Sequence, residues 1–249
     1  MTTYRNTQPE IRRIGAFTAT AISVIFLSLP TAIGHELVFE SPMSGPAEAP
    51  PNNSPGTGFV RITIDLDLVT MHIEADFQDL MGTVTAAHIH GLTAMPNAGT
   101  AGVAIVAPSL PGFPTGVMAG NYDHTLDLTL ASSYNAAFIA ASGGTVSDAL
   151  NAVINGMQAE RMYFNIHTTS FGGGEIRGFP ALVPLLLGDM NCDGVVSVAD
   201  IGGFVLALTD AVGYAAQFPK CDINAADING DELITVSDIG GFVALLVGG

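Results

Sequence analysis

Gly58-Phe59-Val60-Arg61-Ile62-Thr63-Ile64-Asp65 and Met71-His72-Ile73-Glu74-Ala75-Asp76-Phe77 each alternate apolar with polar side chains. A period of two is that of a strand with one buried face, and two such runs this close predict a hairpin. The surrounding chain, from Leu37 to about Pro180, reads the same way: short runs of Val, Ile, Thr and Phe cut by Gly, Pro and Asn. Pro50, Pro51 and Pro55 with Asn52, Asn53 and Ser54 mark a loop. One helix interrupts the strands. Thr145 is placed to cap it with Asp148 answering, Val146, Ala149, Leu150, Val153 and Ile154 recur at helical spacing, and Gly156 is expected to end it. The pattern predicts a mainly β N-terminal domain, an antiparallel sandwich or barrel with one helix.

Beyond Gly188 the text changes to a repeat. Asp189-Met190-Asn191-Cys192-Asp193-Gly194-Val195-Val196-Ser197-Val198-Ala199-Asp200-Ile201-Gly202-Gly203-Phe204-Val205 is matched by Asp227-Ile228-Asn229-Gly230-Asp231-Glu232-Leu233-Ile234-Thr235-Val236-Ser237-Asp238-Ile239-Gly240-Gly241-Phe242-Val243. Each copy has the spacing of an EF-hand-like calcium loop that ends in Asp, with oxygens at alternate positions to wrap a hard cation. The first loop offers Asp189, Asn191, Asp193, Ser197 and Asp200 with the carbonyl of Val195. The second offers Asp227, Asn229, Asp231, Thr235 and Asp238 with the carbonyl of Leu233. Two calcium ions are expected, the second held more weakly because Glu232 stands where the sharp turn prefers Gly. Val196 and Ile234 are expected to pair the loops through a short β-bridge.

Charge and termini bound the function. The chain carries 23 acidic and 7 basic residues, and Arg5, Arg12 and Arg13 lie in a segment expected to be removed. Arg61, Arg161, Arg177 and Lys220 cannot neutralise a phosphate backbone, which excludes nucleic acid as a partner. Arg12-Arg13, an apolar run from Ile14 to Leu29, Pro30 and the small residues Ala32 and Gly34 predict a signal peptide over residues 1–34, cleaved before His35. The product is then secreted by bacterial-type export, without a membrane span. In that oxidising compartment Cys192 and Cys221 read as a disulfide. The expected organisation is a β domain over 35–180, a linker over 181–187 that can also pack as an edge strand, and a small α-helical calcium domain over 188–249.

The duplicated loops from Asp189 to Val247 resemble a type I dockerin, in which each calcium loop is followed by one helix. That resemblance implies a cohesin-like or other extracellular scaffold partner, read chiefly at Val198-Ala199 and Val236-Ser237. Phe39 to Pro180 resembles the chordin-type (CHRD) domain. The match is carried by Ala47-Glu48-Ala49-Pro50-Pro51 with Gly56-Thr57-Gly58, Ala86-Ala87-His88-Ile89-His90-Gly91, Tyr163-Phe164-Asn165-Ile166-His167-Thr168 and Gly173-Gly174-Glu175-Ile176-Arg177-Gly178. It implies a β-sandwich-like fold and no single activity.

His88 and His90 sit two apart on a strand, so their side chains leave one face about 7 Å apart. His167 lies on another strand, sharing a face with Tyr163 and Asn165. Two readings are open. Three converging imidazoles can hold zinc or copper, or the histidines only hydrogen-bond strands to loops. Glu175 and Arg177 read as sharing a strand face in a cross-strand ion pair. No nucleophile elbow, phosphate loop or His-Glu-x-x-His helix is present, so no catalytic residue is assigned. Composition and motifs favour a non-catalytic binding or structural module, with a histidine-based metalloprotein as the alternative.

Overall fold

The predicted hairpin is the centre of the sheet in a computed structural model, which describes residues 36–219 and 221–248. Strand β2 (Thr57–Asp65) pairs antiparallel with β3 (Thr70–Gln78), Ile62 opposite Ile73. Val60, Ile62 and Ile64 face inward with Met71, Ile73, Ala75 and Phe77, while the polar alternates face out. The other strands are β1 (Glu36–Ser44), β4 (Val84–Gly91), β5 (Gly120–Asp127), β6 (Met162–Thr168), β7 (Ile176–Gly178) and β8 (Ala181–Leu182). They form one sheet in the order β4-β6-β7-β1-β2-β3-β5, with β8 added to β1.

This is a curled half-barrel and not the two-sheet sandwich the sequence allowed. The same residues fill one concave interior, and Phe39, Ile62, Ile89, Phe164 and Ile166 are fully buried there. Strand twist supplies the curl. The segment before β5 then reaches the start of β4, with Val84 N–H donating to Val117 and Gly116 N–H donating to Val84. Beyond Gly178, Val183 N–H donates to Val38, so residues 181–183 extend the sheet as the edge strand expected of the linker.

Two helices, not one, pack on the β domain: α1 (Ala136–Ser142) and α2 (Val146–Gln158). Thr145 caps α2 as predicted, accepting from Asp148 N–H. Gly156 does not end α2. It lies inside the helix, where an added Cβ would run into Leu92 and Met162, so its small size allows close packing. The α1 segment escapes sequence reading because it is short and buries a single side chain, Phe138, behind an Asn135 cap.

The C-terminal region holds α3 (Ile201–Thr209), α4 (Ala211–Gln217) and α5 (Ile239–Gly248). The repeat predicts α3 and α5; α4, capped by Asp210, is an addition to the one-helix-per-loop pattern. Phe204 and Phe242, equivalent in the two copies, stack with ring centroids 3.9 Å apart. Tyr214 of α4 is buried beside them and donates to Met190 O at 3.0 Å. Cys192 and Cys221 form the expected disulfide, their Cα atoms 5.8 Å apart. Among the described residues no bridge joins Val196 to Ile234. Ile234 instead packs on the helical core and Val196 lies beside Leu245 at Gly188. The predicted signal peptide and His35 fall outside the described residues.

Candidate metal centre

Antiparallel pairing of β4 and β6 sets His88 opposite Asn165, His90 opposite Tyr163 and Ala86 opposite His167. Opposed residues share a face, so the three histidines project together. Their strand alternates, Ala87, Ile89, Phe164 and Ile166, fill the barrel interior. The histidines therefore lie on the outer face. Residues 101–110 cover it by running along the free side of β4, with Gly91 N–H donating to Gly102, Ala104 N–H to Ile89 and Leu110 N–H to Ala87.

Each histidine is tied through one ring nitrogen to a backbone carbonyl. His88 Nε2 meets Pro108 O at 2.6 Å, His90 Nδ1 meets Ala101 O at 2.9 Å, and His167 Nδ1 meets Gly172 O at 3.0 Å. A carbonyl only accepts, so those nitrogens carry the hydrogens and the tautomers are fixed. The remaining nitrogens, Nδ1 of His88 and Nε2 of His90 and His167, are buried lone pairs without a hydrogen-bond partner. One ring nitrogen from each of the three histidines lies within 4.8 Å of the others. Donors around a zinc at 2.0–2.1 Å stand about 3.4 Å apart, so modest ring rotations close the set on an ion.

The surroundings favour the neutral form of two of the three imidazoles. Burial pushes His90 down to about 4; its bond to Ala101 opposes this, and the neighbouring imidazoles add to it. Burial also lowers His167. Tyr163 stacks flat on His90 with centroids 4.8 Å apart, and the Arg177 guanidinium lies over the Tyr163 ring, 4.8 Å from its centroid. Glu48 is buried nearby, and burial pushes its carboxyl up to about 7, although Arg177 Nε stands 3.8 Å away and offsets part of the effect.

In the metal-free chain His90 and Glu48 act with opposite sign on stability. His90 is protonated near 6.5 when unfolded and near 4 when folded, so its contribution is complete above 6.5 and is lost as pH falls toward 4, by up to about 3 kcal/mol. Folded Glu48 holds its proton up to about 7 against 4.5 unfolded, so its contribution is present below 4.5 and is lost as pH rises through 7. Urea unfolding of the metal-free chain across this range should show the slopes partly cancelling. Glu48→Gln should steepen the acid-side loss, and His90→Gln should reverse it. Parallel curves for all three proteins would contradict this balance.

Glu175 and Arg177 do not pair with each other as the sequence suggested. β7 begins only at Ile176, after Gly174 at φ 127°, so strand alternation does not extend back to Glu175. Glu175 turns to Ser54, Thr168 and the amides of Met81 and Gly82. Arg177 donates to Ala47 O and, at 2.8 Å, to Gly99 O. Sequence reading placed Glu48 in a fragment that carries the resemblance but gave it no role at the site, because it sits in a Pro-rich loop with no periodicity. His72 pairs with exposed Asp123 at 2.9 Å, and His124 lies beside Tyr122, both away from the cluster.

The two acidic loops have matching internal bonding. Asp189 accepts from the amides of Asp193 and Gly194, and Asp227 from those of Asp231 and Glu232. Asp200 accepts from Met190, Asn191 and Ser197, and Asp238 from Ile228, Asn229 and Thr235. Asn191, Asp193, Asn229 and Asp231 keep to the loop surface. Glu232 adopts φ 65° where Gly194 has φ 86°, and Cys192 adopts φ 57° where Gly230 has φ 71°, so each loop reaches the shared shape with one non-glycine residue in the left-handed region. Glu232→Gly should stabilise the second loop by about 1 kcal/mol, read as a higher thermal midpoint; no gain would show that the strain is absorbed elsewhere. Val198 and Val236 stand out at 77% and 79% exposure, with Ala199 and Ser237 exposed beside them.

No single helix among the described residues is long and apolar enough to cross a membrane. No curated protein and no solved structure gives a significant match to the chain. A family model, the CHRD domain, matches residues 39–179. The four sequence fragments that carried the resemblance lie within that span, and Glu48, His88, His90, Asn165, His167 and Arg177, drawn from all four, gather at or beside the histidine cluster. With more than half of its length inside the match, the chain belongs to the CHRD domain family.

Proposed function

We propose that this protein is an exported, non-catalytic CHRD module that holds one transition metal, zinc or copper, between His88, His90 and His167. The observation that carries the reading is the set of buried nitrogens without partners. If the histidines served only to tie loops to strands, one bonded nitrogen each would suffice. The opposite nitrogens would then be buried lone pairs that lose their hydration without return, at about 1–3 kcal/mol each. A single divalent ion satisfies all three. The carbonyls of Pro108, Ala101 and Gly172 supply the outer bonds that orient metal-binding imidazoles.

The second part of the proposal concerns the acidic repeat. Residues 189–200 and 227–238 each bind calcium, in a dockerin-like module that joins the protein to a cohesin-like or other extracellular scaffold partner. The matched exposure of Ile201 with Ile239 and Val205 with Val243 supports an apolar docking surface built twice. The disulfide and the extracellular habit of CHRD domains fit export.

Metal analysis of the purified full chain tests the first part. One equivalent of zinc or copper is expected, absent in His90→Ala. A chain that stays metal-free after reconstitution with both ions would reject it.

A further inference from the structure

Three histidines leave a four-coordinate ion one donor short, and Asn165 lies on the same face as all three. Asn165 stands opposite His88 and two residues from His167, on the same outer face. It is 2% exposed, and its Oδ1 is buried without a hydrogen-bond partner. Its Nδ2 and Glu48 Oε1 border the same small space against Gly174. Glu48 is in turn held beside Arg177, which is anchored on Ala47 O and Gly99 O.

Asn165 Oδ1 and His90 Nε2 are both buried on this face without a hydrogen-bond partner. His90 Nδ1 carries its hydrogen to Ala101, so the nitrogen facing Asn165 is a lone pair. Two buried acceptors are thus set against each other, which is unfavourable unless a positive centre lies between them. A metal ion is such a centre, and it satisfies all four atoms at once.

We infer that Asn165 Oδ1 is the fourth metal donor, completing a closed four-coordinate site of three nitrogens and one oxygen that holds its metal structurally and leaves no position to activate water. This rests on the three-histidine reading and sharpens it. Closed sites serve structure, whereas catalytic zinc keeps a position for water or substrate. Glu48 and Arg177 act as positioning residues that aim the amide.

Cobalt(II) titration of the purified full chain, followed by its visible absorption, tests the assignment with azide as an external ligand. The wild-type chain should give the intense spectrum of tetrahedral cobalt, unchanged by azide. Asn165→Ala should bind cobalt about 10–100-fold more weakly, and its spectrum should shift with azide as the opened position is taken. Asn165→Asp should restore both affinity and azide resistance. A wild-type spectrum that moves with azide, or an Asn165→Ala chain that matches wild type in both tests, would overturn the fourth donor and leave the three-histidine site standing. If wild type takes up no cobalt, the histidine site falls and Asn165 with it. Should Asn165→Ala fail to fold, the wild-type azide response and the Asp variant decide.

Discussion

Glu175→Ala is expected to destabilise the β domain by about 3–5 kcal/mol, enough to lower its melting temperature by on the order of 10 °C. The carboxylate is fully buried. One oxygen accepts from Ser54 Oγ at 2.6 Å and Met81 N–H at 2.5 Å, the other from Thr168 Oγ1 at 2.6 Å and Gly82 N–H at 3.2 Å. Hydroxyls can rotate to other acceptors, but the two amides cannot, so they carry most of the loss. Glu175→Gln keeps one oxygen and turns an amide hydrogen toward a donor, so it should fall between wild type and Ala. Burial is the largest single influence on this carboxyl and raises its pKa, yet the bonds from Ser54, Thr168, Met81 and Gly82 together outweigh it and hold it below 4.5. The unfolded chain therefore takes up the proton first. Glu175 contributes fully above 4.5, and that contribution is lost as pH falls through the depressed folded value. Thermal unfolding of wild type and both variants from neutral to acid pH measures this. An unchanged midpoint for the Ala variant would show that the amides find other partners.

The second large effect lies in the C-terminal region. Asp200 and Asp238 are fully buried, and each closes its loop by accepting three backbone amides. Replacing either by Ala should cost about 3 kcal/mol locally and remove one of the two proposed calcium ions. Calcium adds its own share, about 4 kcal/mol per site when free ion exceeds Kd a thousandfold. Amide hydrogen exchange on the full chain separates the contributions. With chelator, protection in α3 and α5 should fall while that of β2 and β3 is unchanged. Asp200→Ala and Asp238→Ala should lose similar protection, because each loop carries one non-glycine residue at positive φ, Cys192 in the first and Glu232 in the second. Equal protection with and without calcium would show that the loops fold without the ion.

The local features of this protein were legible in the sequence because they depend on near neighbours. Alternation at Gly58–Asp65 determined which side chains of the hairpin are buried, and Thr145 determined where α2 begins. The repeat determined that both acidic loops adopt one conformation, with two equivalent amides bonded to Asp189 and Asp227 and that of Gly230 added at the second. His88 and His90 could be set on one face by spacing alone. Tertiary structure decided everything that required distant segments to meet. Period two fixes which face of a strand is apolar, but not whether that face closes on a second sheet or on its own curl, so the half-barrel could not be told from a sandwich. Gly156 reads as a stop until Leu92 and Met162 show that it is a packing contact. Glu175 and Arg177 read as a pair, yet each finds partners far along the chain, because a buried charge goes where bonds can satisfy it. For the same reason Glu48 came to lie beside Asn165: loop closure over more than a hundred residues, and not local pattern, brings that carboxyl to the histidines.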